Sequence, residues 1–358
     1  MRSSSIRTHL ILLVLAMAIP LCTLVGIGIY LDMQQTIATT KASLRILANT
    51  MARNTGNRIE AAHHALNILA SRPLVKNMDP NQCDPGLNDF LAMNPAYANV
   101  GYTDLEGHFI CSVRPIPKGK NINASETPWF KAFIQTKGFV IGLPQKGLIT
   151  GKLVSVLAAP IRNDSQEVIG AIFLPLDLKT YDPLIPDYGL PPESRYGFFA
   201  MEGTLIWRNL DPEAVIGTKP NADAARRIVE VKNGEFESYA VDGVSRYFSV
   251  IAMDNVKWIA FVGVPATVVY SEAKKRAVTF FIGTMFVLVL LAVLALSISR
   301  RISKPVGELE EVARRLHAGE LGARVQVQGP REIEAVATQF NQMIEAQQKN
   351  TEELRIAA

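Results

Sequence analysis

The sequence predicts an α+β fold. A long N-terminal helix carries two antiparallel-sheet modules, two membrane-crossing helices frame them, and a coiled coil ends the chain. Three observations predict this. Residues 10–31 and 277–298 hold no charged side chain. The interval between them shows the same order twice: a glycine-centred hairpin, a helix and three strand-length apolar runs. The stretch from Ile302 to Met343 holds two apolar seams at heptad spacing.

Each uncharged run spans about 33 Å as a helix at roughly 1.5 Å per residue, enough to cross a bilayer core. The chain is 48% hydrophobic over 358 residues, and these runs account for the excess. The first run has features of a signal peptide: Arg2 and Arg7 precede it, and Ala16-Met17-Ala18 resembles a cleavage site. It extends well beyond the usual apolar region of about 7–15 residues, so an uncleaved anchor is expected. Arg2 and Arg7, against Asp32, place residues 1–9 in the cytoplasm. Lys and Arg flank the second run on both sides and give no direction. Two crossings leave residues 32–276 outside and return 299–358 to the cytoplasm, with 351–358 as a tail.

The net charge of +4 is spread among interspersed acids and bases. No basic tail points to nucleic acid. Of three cysteines, Cys22 lies in the first apolar run, while Cys83 and Cys111 lie in the outside segment. There they form either a bridge, permitted by an oxidising compartment, or two buried free thiols. A bridge would close a loop worth roughly 3–4 kcal/mol on a chain-entropy basis.

After the first run, Ile37, Leu44, Leu47 and Met51 make an apolar stripe at helical spacing. Ile59, Ala62, Leu66 and Leu69 continue it after a slip near Gly56. "DPNQCDPG" at 79–86 ends the helix. "NVGYTDLEGHFICSV" reads as a hairpin around Gly107. "PWFKAFIQT" follows as a short helix, with Pro128 suited to its first turn. "GFVIGL", "LVSVLAAPI" and "VIGAIFLPLDL" then read as strands. The pattern repeats with a hairpin at "YGFFAMEGTLIWRN", a helix at "ADAARRIVEV" and strands at "EFESYAV", "SRYFSVIAM" and "WIAFVGVP". The alternating strand-helix order of a parallel α/β sheet is absent.

On the long first helix, "YTDLEGHFICS", "PWFKAF", the strand pair around "RNDSQE" and the weaker second module, residues 32–276 resemble the double Cache sensor of bacterial receptors. The resemblance implies two PAS-like sheet modules, a distal one at about 75–180 and a proximal one at about 190–265. It implies a small-molecule ligand in the distal module. Cys83 and the "FICS" cysteine, Cys111, match a disulfide-bearing subgroup. In amino-acid-binding members an Arg two positions before a Trp-Tyr pair holds the ligand carboxylate, and a later Asp holds the amine. Trp129 and Phe130 match the aromatic pair, and Asp177 matches the acid. Thr127 stands in place of the Arg, which removes the bidentate clamp and puts amino-acid binding in doubt. Lys131 or Lys152 could supply a point charge instead, and both read equally as solvated lysines.

From Ile302 the apolar positions Val306, Leu309, Ala313 and Leu316 follow a four-three rhythm. Pro305 is tolerable near a helix start and disturbs a helix interior. Gly319, Leu321 and Val325 form a connector. A second seam follows at Ile333, Val336, Phe340 and Met343, with Glu332 at its start. Two short amphipathic helices cannot bury such seams alone. A second copy would complete a parallel four-helix bundle. "ISKPVGEL", "AGELGARV" and "REIEAVATQFNQM" resemble the parts of a HAMP domain over 299–350. The resemblance implies relay of helix motion through Pro305, Gly319, Leu321, Val325 and Glu332.

The sequence shows no glycine-rich nucleotide loop, cyclase signature or methyl-accepting hairpin, so no enzyme, cofactor or metal is expected within it. His63 and His64 are adjacent on a helix and diverge by about 100°, unlike metal ligands at i, i+4. The expectation is a homodimeric receptor in the bacterial inner membrane. It would have a periplasmic sensor, a ligand of unidentified structure and a cytoplasmic signalling partner. The alternatives are a dimerising regulator of full-length receptors, or the input half of a diguanylate cyclase, histidine kinase or chemoreceptor.

Overall fold

The computed structural model describes residues 6–117, 122–185, 190–210, 212–320 and 322–357. The elements run α1 (Ile6–Ala70), α2 (Pro73–Lys76), α3 (Gly86–Met93), β1 (Gly101–Thr103), β2 (Phe109–Ser112), α4 (Pro128–Thr136), β3 (Val140–Ile141), β4 (Gln145–Lys146), β5 (Leu153–Arg162) and β6 (Val168–Asp177). They continue with β7 (Arg195–Ala200), β8 (Leu205–Arg208), α5 (Pro212–Val215), α6 (Asp223–Val231), β9 (Gly234–Tyr239), β10 (Ser245–Met253), β11 (Trp258–Pro265), α7 (Ala266–His317) and α8 (Arg331–Ala357). By contacts, Gln35–Glu272 form one compact unit, and Met1–Gln34 with Ala273–Ala358 form another.

Within Gln35–Glu272 there are two antiparallel sheets of matching order, β2-β1-β6-β5-β3 with β4 on β5, and β8-β7-β11-β10-β9. The repeat extends to single residues. Gly101 opens its sheet's hairpin just as Gly197 does in the other, each followed by a register shift, at Tyr102/Thr103 and Phe198/Phe199. Six residues on, Gly107 and Gly203 turn the hairpins at φ +84 and +94, a backbone conformation that disfavours side chains. A Cβ on Gly101 would lie 2.4 Å from the Cys111 carbonyl oxygen, and one on Gly197 2.1 Å from that of Trp207. Only glycine lets the strands approach this closely at the shifted register.

Strand alternation gives each sheet two apolar faces. One face of both sheets packs on α1 in a shared core. Leu157, Ile172 and Leu174 come from the first sheet and Phe198, Ala260 and Val262 from the second. The α1 side of that core holds Met51, Ile59, Ala62, Leu66 and Leu69, four of them from the predicted continuation of the stripe. The helix does not slip at Gly56. Thr55 and Gly56 are buried and carry the stripe through, and two non-hydrophobic residues hid its continuity from the sequence pattern. The other face of the first sheet is covered by α4, and that of the second by α6. Of the run "GFVIGL" only Val140 and Ile141 pair as a strand. Phe139 instead stacks on His63 of α1 at 4.0 Å.

Helices α1 and α7 are each long and apolar enough to cross a membrane. Pro305 lies inside α7 rather than near a helix start. It is buried, and a Cβ on Gly329 would meet its Cγ at 3.3 Å, so its ring packs against the end of the connector. Gly319 ends α7 at φ +94, with its N–H donated to Leu316, a left-handed helix stop. Val325 is buried between α7 and α8 with Val312, Ala337 and Ile344. The side chain of Asn341 holds Val325 at both backbone groups, accepting its N–H at 3.0 Å and donating to its carbonyl at 2.9 Å. Glu332 stands in the first turn of α8. Leu321 lies outside the described residues. The seams differ in part from the pattern read in sequence. Ala313, Val336 and Met343 stay exposed in the single chain, while Val312, Ala337 and Ile344 fill its core.

Candidate functional site

The candidate site is built on the face of the first sheet that α4 covers. Along β6 that face carries Ala171 and Phe173, followed at the same period by Pro175 and Asp177. Helix α4 lays Trp129, Phe130 and Phe133 on it. Trp129 meets Phe130 edge-on at 5.5 Å and Phe173 at 5.9 Å. Gly142 admits this packing, since a Cβ there would lie 2.7 Å from the Trp129 Cβ. Thr127 precedes α4, and its hydroxyl donates to the Ala124 carbonyl at 2.6 Å.

Beside Trp129 is a cavity of about 30 Å³, bounded by Asn99, Phe109, Gln145, Thr150 and Phe173. That is about one water molecule's share of liquid volume. Asn99 is held on both sides, donating to Ser112 and accepting from the Arg114 N–H. Gln145 differs, because its Oε1 is buried without a hydrogen-bond partner. Such an orphan acceptor costs about 1–3 kcal/mol and marks a place where a donor would be welcome. Asp177 is almost fully buried, and its carboxylate accepts from Lys152 Nζ at 2.7 Å and from the Lys179 N–H at 3.1 Å. Lys152 follows the 145–150 segment that walls the cavity, so this ion pair ties the segment to β6.

Of the residues singled out in sequence, Trp129 lines the cavity. Phe130 packs in the core behind it, against Trp129 and Phe133. Asp177 lies two positions beyond Pro175, which lines the cavity, and is engaged by Lys152. Lys131 is committed to Glu126 at 2.8 Å on the surface. Gln145 and Asn99 went unread, since β4 is two residues long with no periodicity to notice and Asn99 lies in the connection between α3 and β1. Cys83 and Cys111 are bonded, with Cα atoms 5.7 Å apart. Beside them the Arg72 guanidinium, at 2.6 Å, holds the buried Asp84 carboxyl below its usual range.

Two sheet modules on one helix, two membrane-length helices and a seamed C-terminal module define a transmembrane sensor. Its location is the inner membrane, with the sensor in the periplasm. Residues 32–273 match the family model of the Cache domain, and residues 297–349 match that of the HAMP domain. The first match covers more than half of the chain, which therefore belongs to the Cache domain family. The chain is 22% identical over 358 residues to the methyl-accepting chemotaxis protein TlpA of Bacillus subtilis, covering 96% of this chain and 51% of that protein. It is 20% identical over 249 residues to McpC of the same organism, covering 67% of this chain and 35% of that one. The chain thus spans about half or less of these relatives. The ligand-binding domain of the Pseudomonas aeruginosa amino acid chemoreceptor PctB, solved with L-Arg, superposes with TM-score 0.50 at 15% identity. That match covers 64% of this chain and 97% of the PctB domain. The domain of the Campylobacter jejuni chemoreceptor Tlp3, solved with L-valine, gives TM-score 0.50 at 11% identity, covering 66% and 97%. At these identities the shared property is the fold.

Proposed function

We propose that this chain detects a small molecule in its distal Cache module and relays occupancy through HAMP to a cytoplasmic partner or output domain. The carrying observation is the orphan Gln145 Oε1 beside Trp129 in a mostly apolar pocket. The cavity is too small for an amino acid as it stands, so entry requires the 145–150 segment to move. Gly147 within that segment, and Gly151 at φ +66 just after it, give it freedom. Asp177 and Lys152 then serve as its latch. A ligand amine could replace Lys152 on Asp177, and Gln145 would accept a second N–H. Thr127 offers no bidentate partner for a ligand carboxylate, which favours cationic or amine-bearing ligands over zwitterionic ones.

We propose further that the receptor is a homodimer. The exposed Val336 and Met343, with Ala313, supply a seam that a second copy would cover. Two packings of the resulting bundle would differ with ligand state, and a few kcal/mol of coupling suffices.

The test is a thermal-shift panel of amino acids, amines, polyamines, short carboxylates and purines on residues 35–272. A ligand at 100 times its Kd stabilises by about 2.7 kcal/mol. At roughly 2–4 °C per kcal/mol the midpoint rises by about 5–10 °C. A shift removed by Trp129→Ala and by Asp177→Ala places the ligand as proposed. A folded segment with no shift across the panel overturns the small-molecule reading and favours a regulator acting by dimerisation.

A further inference from the structure

The two modules share a plan, yet their covering helices differ on the inward face. Helix α4 presents Trp129, Phe130 and Phe133, which fill the space over the first sheet. Helix α6 presents Ala224, Ala225 and Ile228 over the second. Alanines cannot fill what aromatic rings fill, and a cavity of about 370 Å³ remains between α6 and the sheet. That is the scale of a small-molecule site, where the distal cavity is not. Its walls are apolar, formed chiefly by Phe199, Leu205, Ile228, Phe248 and Phe261. Gly263 makes room for the Phe248 ring, which lies 2.4 Å from where an added Cβ would stand.

The lining also includes Arg195, Arg208 and Asp242. Arg195 stands on β7 two positions from Gly197 and four from Phe199, on the same face of the strand. Its Nε and Nη2 donate to Asp242 Oδ2 at 3.2 and 2.8 Å. Arg246, fully buried, takes both oxygens of the same carboxylate at 2.7 and 2.8 Å. One carboxylate thus serves two guanidinium groups, and one positive charge is left over. The Arg195 Nη1 is buried and has no hydrogen-bond partner. The Arg208 Nε donates to the Leu210 carbonyl at 2.6 Å, so this arginine is engaged and the unmet N–H belongs to Arg195.

An apolar chamber with surplus positive charge and an unmet guanidinium N–H is matched by one chemistry. We infer that the proximal module binds a small monocarboxylate with an apolar body, its carboxylate on Arg195 and its body between α6 and the second sheet. This site is separate from the distal one and does not depend on it. The carboxylate meets the free N–H and offsets the excess charge, and the body displaces solvent from the phenylalanine walls.

The test uses the full chain in lipid nanodiscs and equilibrium dialysis, with empty nanodiscs subtracted for partitioning. The probes are the straight-chain acids from butyrate to octanoate, 4-phenylbutyrate, and 4-phenylbutyramide as the neutral counterpart. Saturable binding of at least one acid is expected. The amide should bind at least about tenfold more weakly than 4-phenylbutyrate, as loss of a charged hydrogen bond implies. Arg195→Gln should weaken acid binding by about the same factor and leave the amide unchanged. Ala225→Phe, which fills the chamber, should abolish binding of both. The inference is overturned if no acid saturates at millimolar concentration, or if acid and amide bind equally. It is also overturned if binding survives Ala225→Phe but is lost in Trp129→Ala, which would assign the acid to the distal site. Should Arg195→Gln fail to fold, the acid-amide comparison on the unaltered chain still decides.

Discussion

Asp242→Asn removes the one carboxylate that two arginines share. Arg246 has no exposed surface and reaches both Asp242 oxygens, with its remaining Nε on the Glu193 carbonyl at 3.1 Å. Asparagine keeps the shape, loses the charge and turns an N–H₂ toward a guanidinium. Removing one partner of a buried pair costs about 3–5 kcal/mol, because the other charge stays buried. Asp242 keeps 29% of its side-chain surface, so water softens the loss and the lower end, about 3 kcal/mol, applies. At roughly 2–4 °C per kcal/mol, the unfolding midpoint of residues 35–272 should fall by about 6–12 °C. The pH dependence has a definite sign. The Arg246 hydrogen bond acts most strongly, burial opposes it, and hydrogen bonds from Arg195 and the Val244 N–H add to it, so the folded Asp242 carboxyl is held well below the usual range. Its contribution is therefore fully present above the unfolded value of about 3.9 and disappears as pH falls through the folded value. The gap between wild type and Asp242→Asn should be constant at neutral pH and narrow below about pH 4. Asp242→Asn/Arg246→Met should recover part of the loss, since the stranded charge is gone. A midpoint unchanged at neutral pH, or a gap that widens in acid, would refute the reasoning.

Three further outcomes are expected. Reducing Cys83–Cys111, or replacing both with serine, should destabilise residues 35–272 by about 3–4 kcal/mol in chemical denaturation, from the entropy of the released loop. Gly197→Ala should cost about 1–3 kcal/mol by the same assay, since its Cβ would stand 2.1 Å from the Trp207 carbonyl and force β7 and β8 apart; a neutral result would mean that the hairpin relaxes freely. Asn341→Ala should release Val325, losing two backbone hydrogen bonds worth about 1–3 kcal/mol together, and speed proteolysis of residues 322–330 in membranes. An unchanged cleavage rate would show that apolar packing alone holds the connector.

The hairpins were legible because Gly107 and Gly203 sit between apolar runs, and the repeat was legible because the second module restates the order of the first. The helical stripe was legible wherever its buried residues were apolar. It was lost at Thr55 and Gly56, where burial is achieved by a hydrogen bond and by small size. Thr55 meets the Tyr181 hydroxyl at 2.6 Å, a partner 126 residues away. The HAMP seams were read in rhythm but not in assignment. Heptad spacing cannot say which of two neighbouring apolar positions faces the chain's own helix and which is left for another. The Arg195–Asp242–Arg246 cluster was invisible because the β9–β10 turn brings Asp242 to a strand that begins 47 residues earlier. The proximal cavity was invisible for a different reason: it is made by what α6 lacks.

The shared core on α1 bears on how such a sensor could respond. Both sheets bury their inner faces against one helix, so displacing either sheet disturbs packing around the same side chains. Tyr181 stands in the segment between the modules and fixes their junction. Its ring meets Phe198 and Trp207 of the proximal sheet edge-on at 6.1 and 5.6 Å, and the Arg58 guanidinium of α1 lies 5.6 Å from its centre. Burial pushes its phenol up to about 12, so it remains a neutral hydrogen-bonding group at every physiological pH. A tight, neutral junction of this kind transmits position rather than charge. Release of the 145–150 segment would change the load on β5 and β6, whose inner faces rest on α1. The proximal chamber lies on the opposite face of its own sheet, away from α1. A ligand there would act by stiffening α6 against the second sheet, and so would alter how firmly that sheet resists a shift of the helix. A ligand beside Trp129 would thus act on the shared core itself, and one beneath α6 on how readily that core moves.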